Sequence, residues 1–209
     1  SFYYFEAAKN LPEGVKPTFV IPSGNFGNLT AGLLAERLGL EVAHFVAATN
    51  RNDVVPEYLR NGEYRPRPSV ATISNAMDVG SPSNFERMDN IFGNEWASMK
   101  KRISGFSFDD DVTRETIRRI KAETGYTLEP HGAVAWLAAE AWRELHPEAH
   151  TVVLETAHPS KFLDVMEEEL GEGSVVIPDR LACLADREKV TIEMGADEGE
   201  FHAWLKNLS

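Results

Sequence analysis

The sequence predicts an α/β fold of three layers, a mostly parallel sheet with helices on both faces. Two observations point there. Short apolar, β-favouring runs alternate with segments whose apolar residues recur at helical spacing. The runs are apolar nearly throughout, as strands covered on both faces are.

Thr18 to Ile21 is the first such run, and the loop Ser23-Gly24-Asn25-Phe26-Gly27-Asn28 follows Pro22. Leu29, Leu33, Leu34 and Leu38 then fall at helical spacing, with Gly39 suited to the position after the helix end. Val42 to Ala48 is the second run. Asp53 to Arg60 reads as a short helix capped by Asp53 and ended near Gly62. Val70 to Gly80 is small, polar and irregular. Asn84 is placed to cap a longer helix in which Met88, Ile91, Phe92, Trp96 and Met99 share a face. Thr113 is placed to cap another, with Ile117 and Ile120 inward and Gly125 as its stop. Residues 129–145 are rich in helix formers, with Val134, Leu137, Ala141 and Leu145 on one stripe and Pro147 beyond the end. Thr151 to Glu155 predicts a buried strand. A helix starts near Pro159 and turns Phe162, Val165, Met166 and Leu170 inward. The tail holds apolar runs at Val175 to Ile177 and Val190 to Glu193, and a short amphipathic end around Phe201, Trp204 and Leu205.

With 209 residues, 43% of them hydrophobic and 26% charged, the chain can bury a core. A net charge of −12 argues against a nucleic-acid or anionic-membrane surface, since both need clustered Lys and Arg. It leaves room for a local anion site, because backbone N–H groups at a helix start bind anions without net positive charge. The one cysteine, Cys183, allows no intrachain disulfide and reads as a small buried hydrophobe between Leu181 and Leu184. No apolar stretch reaches the roughly 18 residues of a membrane span, and no signal peptide is evident. These features predict a cytoplasmic protein. No metal site is predicted.

In open parallel sheets, ligands sit beyond the carboxyl ends of the strands. Two loops lie there: 22–28 after the first run, and 156–160 after "TVVLE". In the first, Gly24 and Gly27 flank Asn25 and Phe26. Such a loop turns successive N–H groups inward as an anion-binding concavity, and the following helix adds its positive end. The same spacing also serves a plain strand-to-helix turn. No Lys-Ser/Thr follows it, and it fails the dinucleotide glycine pattern. Asn50, Asn52, Asp53, Ser74, Asn75 and Asp78 read first as turn chemistry.

"PSGNFGNLTAGLLAERLGL", "FVAATNRNDVVPEYLRNG", "ISNAMDVGSPSNFERM", "LEPHGAVAW" and "ETAHPSKF" occur in that order. Together they resemble the threonine synthases, from about Ser1 to about Leu170. The resemblance implies an enzyme that uses pyridoxal 5′-phosphate on the type II fold of the tryptophan synthase β-like group. It implies conversion of O-phospho-L-homoserine and water to L-threonine and phosphate, the last step of threonine biosynthesis. Gly24, Asn25, Phe26 and Gly27 are then expected to cradle the cofactor phosphate, with Asn28 beside them where many relatives carry Asp. Thr156 is expected to meet the pyridine nitrogen. Ser74 and Asn75 are candidates for substrate contact. The family's Schiff-base lysine, in an FKD-like motif, is expected upstream. Lys161 belongs to the helix that follows Thr156 and reads as a structural or solvated lysine.

Residues 1–209 are thus expected to be the C-terminal part of the large cofactor-binding domain of a longer enzyme, with 171–209 a terminal extension. The N-terminal, lysine-bearing half of the same enzyme would be the partner, and the chain alone would be inactive. The alternatives are another type II lyase or dehydratase of serine or threonine, and a non-catalytic binding fragment.

Overall fold

The computed structural model describes residues 1–184 and 187–208. Ala185, Asp186 and Ser209, which belong to the expected terminal extension, lie outside the described residues. Contacts divide the chain into a unit of Ser1–Val175 and a unit of Val176–Ser209.

In the first unit, four parallel strands form one sheet: β1 (Thr18–Pro22), β2 (His44–Thr49), β3 (Ile103–Ser107) and β4 (Thr151–Val153), in the order β3-β2-β1-β4. Val20 pairs with Val46 on one side and Val153 on the other. Helices connect them in chain order: α1 (Phe2–Lys9), α2 (Gly27–Arg37), α3 (Val54–Asn61), α4 (Phe85–Ile91), α5 (Trp96–Arg102), α6 (Asp110–Thr124), α7 (Pro130–Leu145) and α8 (Leu163–Leu170).

The pleat divides the strand residues between two cores. Phe19, Ile21, Phe45 and Ala47 join Leu29 and Leu33 of α2, Val55 and Leu59 of α3, Met88 of α4 and Met99 of α5. Val20, Val46 and Ala48 join Val134, Ala135, Ala138, Ala139 and Trp142 of α7. A third cluster sets Ile117 and Ile120 of α6 against Ala133, Phe162 and Met166. The predicted three layers are present.

Several local expectations are corrected. The strand β3 stood in no sequence pattern, because Ser104, Gly105 and Ser107 hide its period. A Cβ on Gly105 would lie 2.7 Å from the Cα of Pro56, so the missing side chain lets α3 press on the sheet. The single helix expected after Asn84 is two, broken where Gly93 and Asn94 both take positive φ. Asp109, not Thr113, caps α6, accepting the Val112 N–H. Of the expected stripe, helix α7 buries Val134, but beside it lie Ala135, Ala138, Ala139 and Trp142 rather than Leu137, Ala141 and Leu145, and the alanines let it lie close on β1 and β2. Leu34, Leu38 and Leu145 are exposed. The strand expected at 151–155 is a short, half-buried edge.

The second unit carries α9 (Asp179–Ala182) and α10 (Glu198–Lys206), with Phe201 and Trp204 stacked on α10. The runs at 175–177 and 190–193 form no strand. Cys183 is exposed rather than buried. Among the described residues, no helix is long and apolar enough to cross a membrane, and no group of His, Cys, Asp and Glu is placed to hold a metal ion.

Candidate active site

The loop after β1 is fixed by its own side chains. The Ser23 N–H continues the ladder to the Ala48 carbonyl at 3.0 Å. Asn28 closes the turn: its Oδ1 accepts from the Ser23 hydroxyl (2.6 Å) and the Leu29 N–H (2.9 Å), and its Nδ2 donates to the Pro22 carbonyl (2.7 Å). An aspartate there could not make that last bond. The buried Tyr4 hydroxyl donates to the Asn28 carbonyl at 2.6 Å.

Phe26 sits at φ 60°, ψ 17°, in the left-handed region. For a non-glycine residue that conformation costs roughly 1–2 kcal/mol. Its buried ring holds it there. A left-handed residue at the head of a helix is the kind of turn in which successive N–H groups can form an anion nest. Among the described residues, the N–H groups of Gly24, Asn25, Phe26 and Gly27 donate to no protein acceptor. They stand at the N-terminus of α2, whose dipole favours an anion. Four unpaired donors in a row fit a phosphate group.

Space under the loop is filled by a 3-10 turn, Asn75–Met77. A Cβ on Gly24 would fall 2.6 Å from the Met77 Cα and 2.8 Å from the Ala76 carbonyl. Glycine is needed here for room, since its φ is ordinary. The Asn25 side chain is taken by Ser83, whose N–H it accepts at 2.6 Å and whose hydroxyl it reaches at 2.9 Å. Asn84 donates to the Asn25 carbonyl at 2.9 Å. So Asn25 offers a ligand its N–H and spends its amide on the α4 approach.

Past the end of β2, a polar knot ties down the irregular segment. Asp78 Oδ1 accepts from Asn50 (2.9 Å), Asn52 (3.2 Å) and the Thr72 hydroxyl (2.7 Å), and Oδ2 accepts the Thr72 N–H (3.0 Å). Ser74 is 1% exposed, and its hydroxyl meets Asn50 at 3.1 Å. Asn75 is exposed. It lines a hollow of about 460 Å³ with Thr72, Ile73, Asp110, Lys161 and Phe162. Burial pushes the Asp110 carboxyl above the usual carboxylate range, against the Ile73 N–H it accepts. Asp53 stands at the N-cap of α3 as expected, but its side chain makes no capping bond and pairs with Arg67.

Thr156 follows β4. Thr156 lies three residues beyond Val153, the last residue of β4 paired with β1, at the same carboxyl end of the parallel sheet as the loop after β1. Its side chain makes no hydrogen bond among the described residues and is exposed. His158 is a turn residue, its Nδ1 accepting the Ser160 N–H at 3.2 Å. Sequence reading did not foresee the roles of Ser83, Asn84 and Ala76. Their partners lie more than fifty residues away, and no local pattern marks such pairings.

A hollow of about 580 Å³ lies at the opposite end of the sheet, among Lys16, His44, Trp142 and His146. His44 and Trp142 stack with centroids 4.5 Å apart. Burial, with help from Arg102 and then His146, pulls His44 down to about 4. That hollow is remote from the strands' carboxyl ends, where the free donors are.

Comparison with known proteins follows the same outline. The family model described as "Threonine synthase, C-terminal" matches residues 132–204. The threonine synthase of Escherichia coli (strain K12) is 44% identical over 207 residues, 98% of this chain and 47% of that protein. The crystal structure of threonine synthase from Escherichia coli superposes with a TM-score of 0.87 at 42% identity, over 99% of this chain and 48% of that one. A structure of PLP-bound threonine synthase from Brucella melitensis gives 0.81 at 28% identity, over 98% and 49%. By sequence and by fold the chain is similar to the threonine synthases, and it spans about half the length of the curated relatives it matches.

Proposed function

We propose that this chain supplies the phosphate-holding and ring-contacting side of a threonine synthase active site, with pyridoxal 5′-phosphate as cofactor. The whole enzyme would take O-phospho-L-homoserine and water to L-threonine and phosphate. The observation that carries the reading is the row of four unpaired N–H groups at 24–27, in a chain 44% identical to a threonine synthase.

Pyridoxal 5′-phosphate, when bound, supplies an electron sink that lets protons leave the substrate's α and β carbons. The residues of this chain bind and orient. The N–H groups of Gly24, Asn25, Phe26 and Gly27 hold a phosphate group, and Asn28 keeps the loop closed around it. The Thr156 hydroxyl offers the ring nitrogen a neutral partner. A neutral partner leaves the ring less electron-withdrawing than a carboxylate would. That suits a reaction whose electrons must return to expel phosphate from the γ carbon. Asn75, exposed beside the cradle, contacts the substrate, and Ser74 anchors the turn that bears it. The lysine that bonds the cofactor comes from outside these 209 residues, in the rest of the enzyme.

Turnover by the full-length protein with O-phospho-L-homoserine, against L-serine and L-threonine, tests the reading. Equal yields of threonine and phosphate are expected. A keto acid formed from serine or threonine, with no threonine from the phosphorylated substrate, would make it a dehydratase instead.

A further inference from the structure

The buried pair Glu129–His131 is used by nothing described so far. Glu129 is 0% and His131 3% exposed, a costly place for two ionisable groups unless both are fully bonded. They are. Glu129 caps α7, its Oε2 accepting the His131 N–H at 2.9 Å and its Oε1 the Gly132 N–H at 2.9 Å. The same Oε2 lies 2.6 Å from His131 Nδ1. The other ring nitrogen, Nε2, accepts the Ala76 N–H at 3.2 Å. An accepting Nε2 carries no proton, so the ring proton sits on Nδ1 and is donated to Glu129. The carboxylate therefore sets the tautomer, and the tautomer sets the acceptor.

Ala76 is the middle residue of the 3-10 turn beneath the cradle. Its N–H points to His131, while its carbonyl and the next Cα are the atoms a Cβ on Gly24 would strike. One residue carries the contact from the buried pair to the cradle floor. On its other flank the turn is tied by Ser74 and Asp78 to Asn50. His131 supplies the side-chain bond that links this turn to α7, across the sheet's second core.

We propose that Glu129 and His131 are positioning residues for the anion cradle, holding Ala76 so that the 24–27 N–H groups keep their shared aim. The inference rests on the proposed cofactor role of that loop.

The test uses the full-length protein and three readouts: cofactor affinity by titration, the 31P resonance of the bound cofactor phosphate, and thermal unfolding. His131→Leu removes the acceptor and strands the Ala76 N–H. Cofactor affinity should fall about tenfold, the order of one lost hydrogen bond at a partly buried donor, and the 31P resonance should move. His131→Gln places a carbonyl oxygen near the Nε2 position and should restore affinity to within about threefold and the resonance to its wild-type position. A purely structural role would lower thermal stability in both variants and leave the 31P resonance of the bound cofactor unchanged; that result overturns the inference. Should His131→Leu fail to fold, a His131→Gln protein with wild-type stability and a wild-type resonance supports it, and one with a displaced resonance overturns it. A wild-type protein that binds no cofactor phosphate refutes the cradle itself, and this inference with it.

Discussion

Gly24 and Phe26 divide the work of the loop between space and strain. Gly24→Ala would put a methyl group 2.6 Å from the Met77 Cα. Backbone cannot yield as a flexible side chain can, so the turn or the loop must move. Overpacking of this kind costs about 1–3 kcal/mol. Cofactor affinity should fall at least tenfold, with unfolding at a lower temperature, both measurable on one sample of the full-length protein. Affinity equal to wild type would mean that the loop's position does not matter to binding. At this scale the sequence disclosed residue types and little more. Two glycines around Asn25 and Phe26 suggested an anion loop, and the unpaired N–H groups at 24–27 are the observation that supports proposing it. What Asn25 does with its side chain depends on Ser83, 58 positions away, which no local pattern encodes. The left-handed φ of Phe26 was likewise invisible, because the residue that usually marks such a turn is glycine.

Among the elements, periodicity served where a helix or strand packs on one plain face, and failed where packing reversed local preference. The strands β1 and β2 are apolar but for their ends, Thr18, His44 and Thr49, and were legible. The strand β3 was not, since its place depends on α3 closing over Gly105. Helix α7 shows the same limit: alanines lie on its buried face because the sheet is close, while its leucines lie outside that cluster. The junction of α7 with β4 carries a pH-dependent contact. Glu155 accepts the Glu129 N–H at 3.2 Å, and its carboxylate rests on the backbone of Gly132, where a Cβ would collide with it. The residue as a whole is exposed, but the carboxylate is packed against α7. Burial pushes Glu155 up to about 7 from an ordinary 4.5, the Glu129 N–H opposing and the Glu129 carboxylate adding. Because the folded pKa is raised, this group's contribution is fully present below about 4.5 and is lost as pH rises through about 7. Glu155→Gln should flatten the fall in stability over that window, read from urea unfolding at stepped pH. An identical pH slope in variant and wild type would show that the carboxylate does not titrate in that range.

At the scale of the whole molecule, one sheet gathers the candidate site. A parallel sheet brings the end of β1, the segment after β2 and the residues after β4 to a single edge. There the first loop presents unpaired donors, the second supplies the turn beneath them, and the third presents the Thr156 hydroxyl. With a net charge of −12, any anion bound by that local cluster of N–H groups would owe nothing to bulk charge. The central claim is that residues 24–27 hold the cofactor phosphate. The most direct measurement is a 15N–1H amide spectrum of the full-length protein, titrated with pyridoxal 5′-phosphate and, separately, with pyridoxal, which lacks the phosphate. Large shifts are expected at the amides of Gly24, Asn25, Phe26 and Gly27 with the phosphorylated form, and small ones with pyridoxal. Saturating cofactor that leaves those four amides where they stood would contradict it.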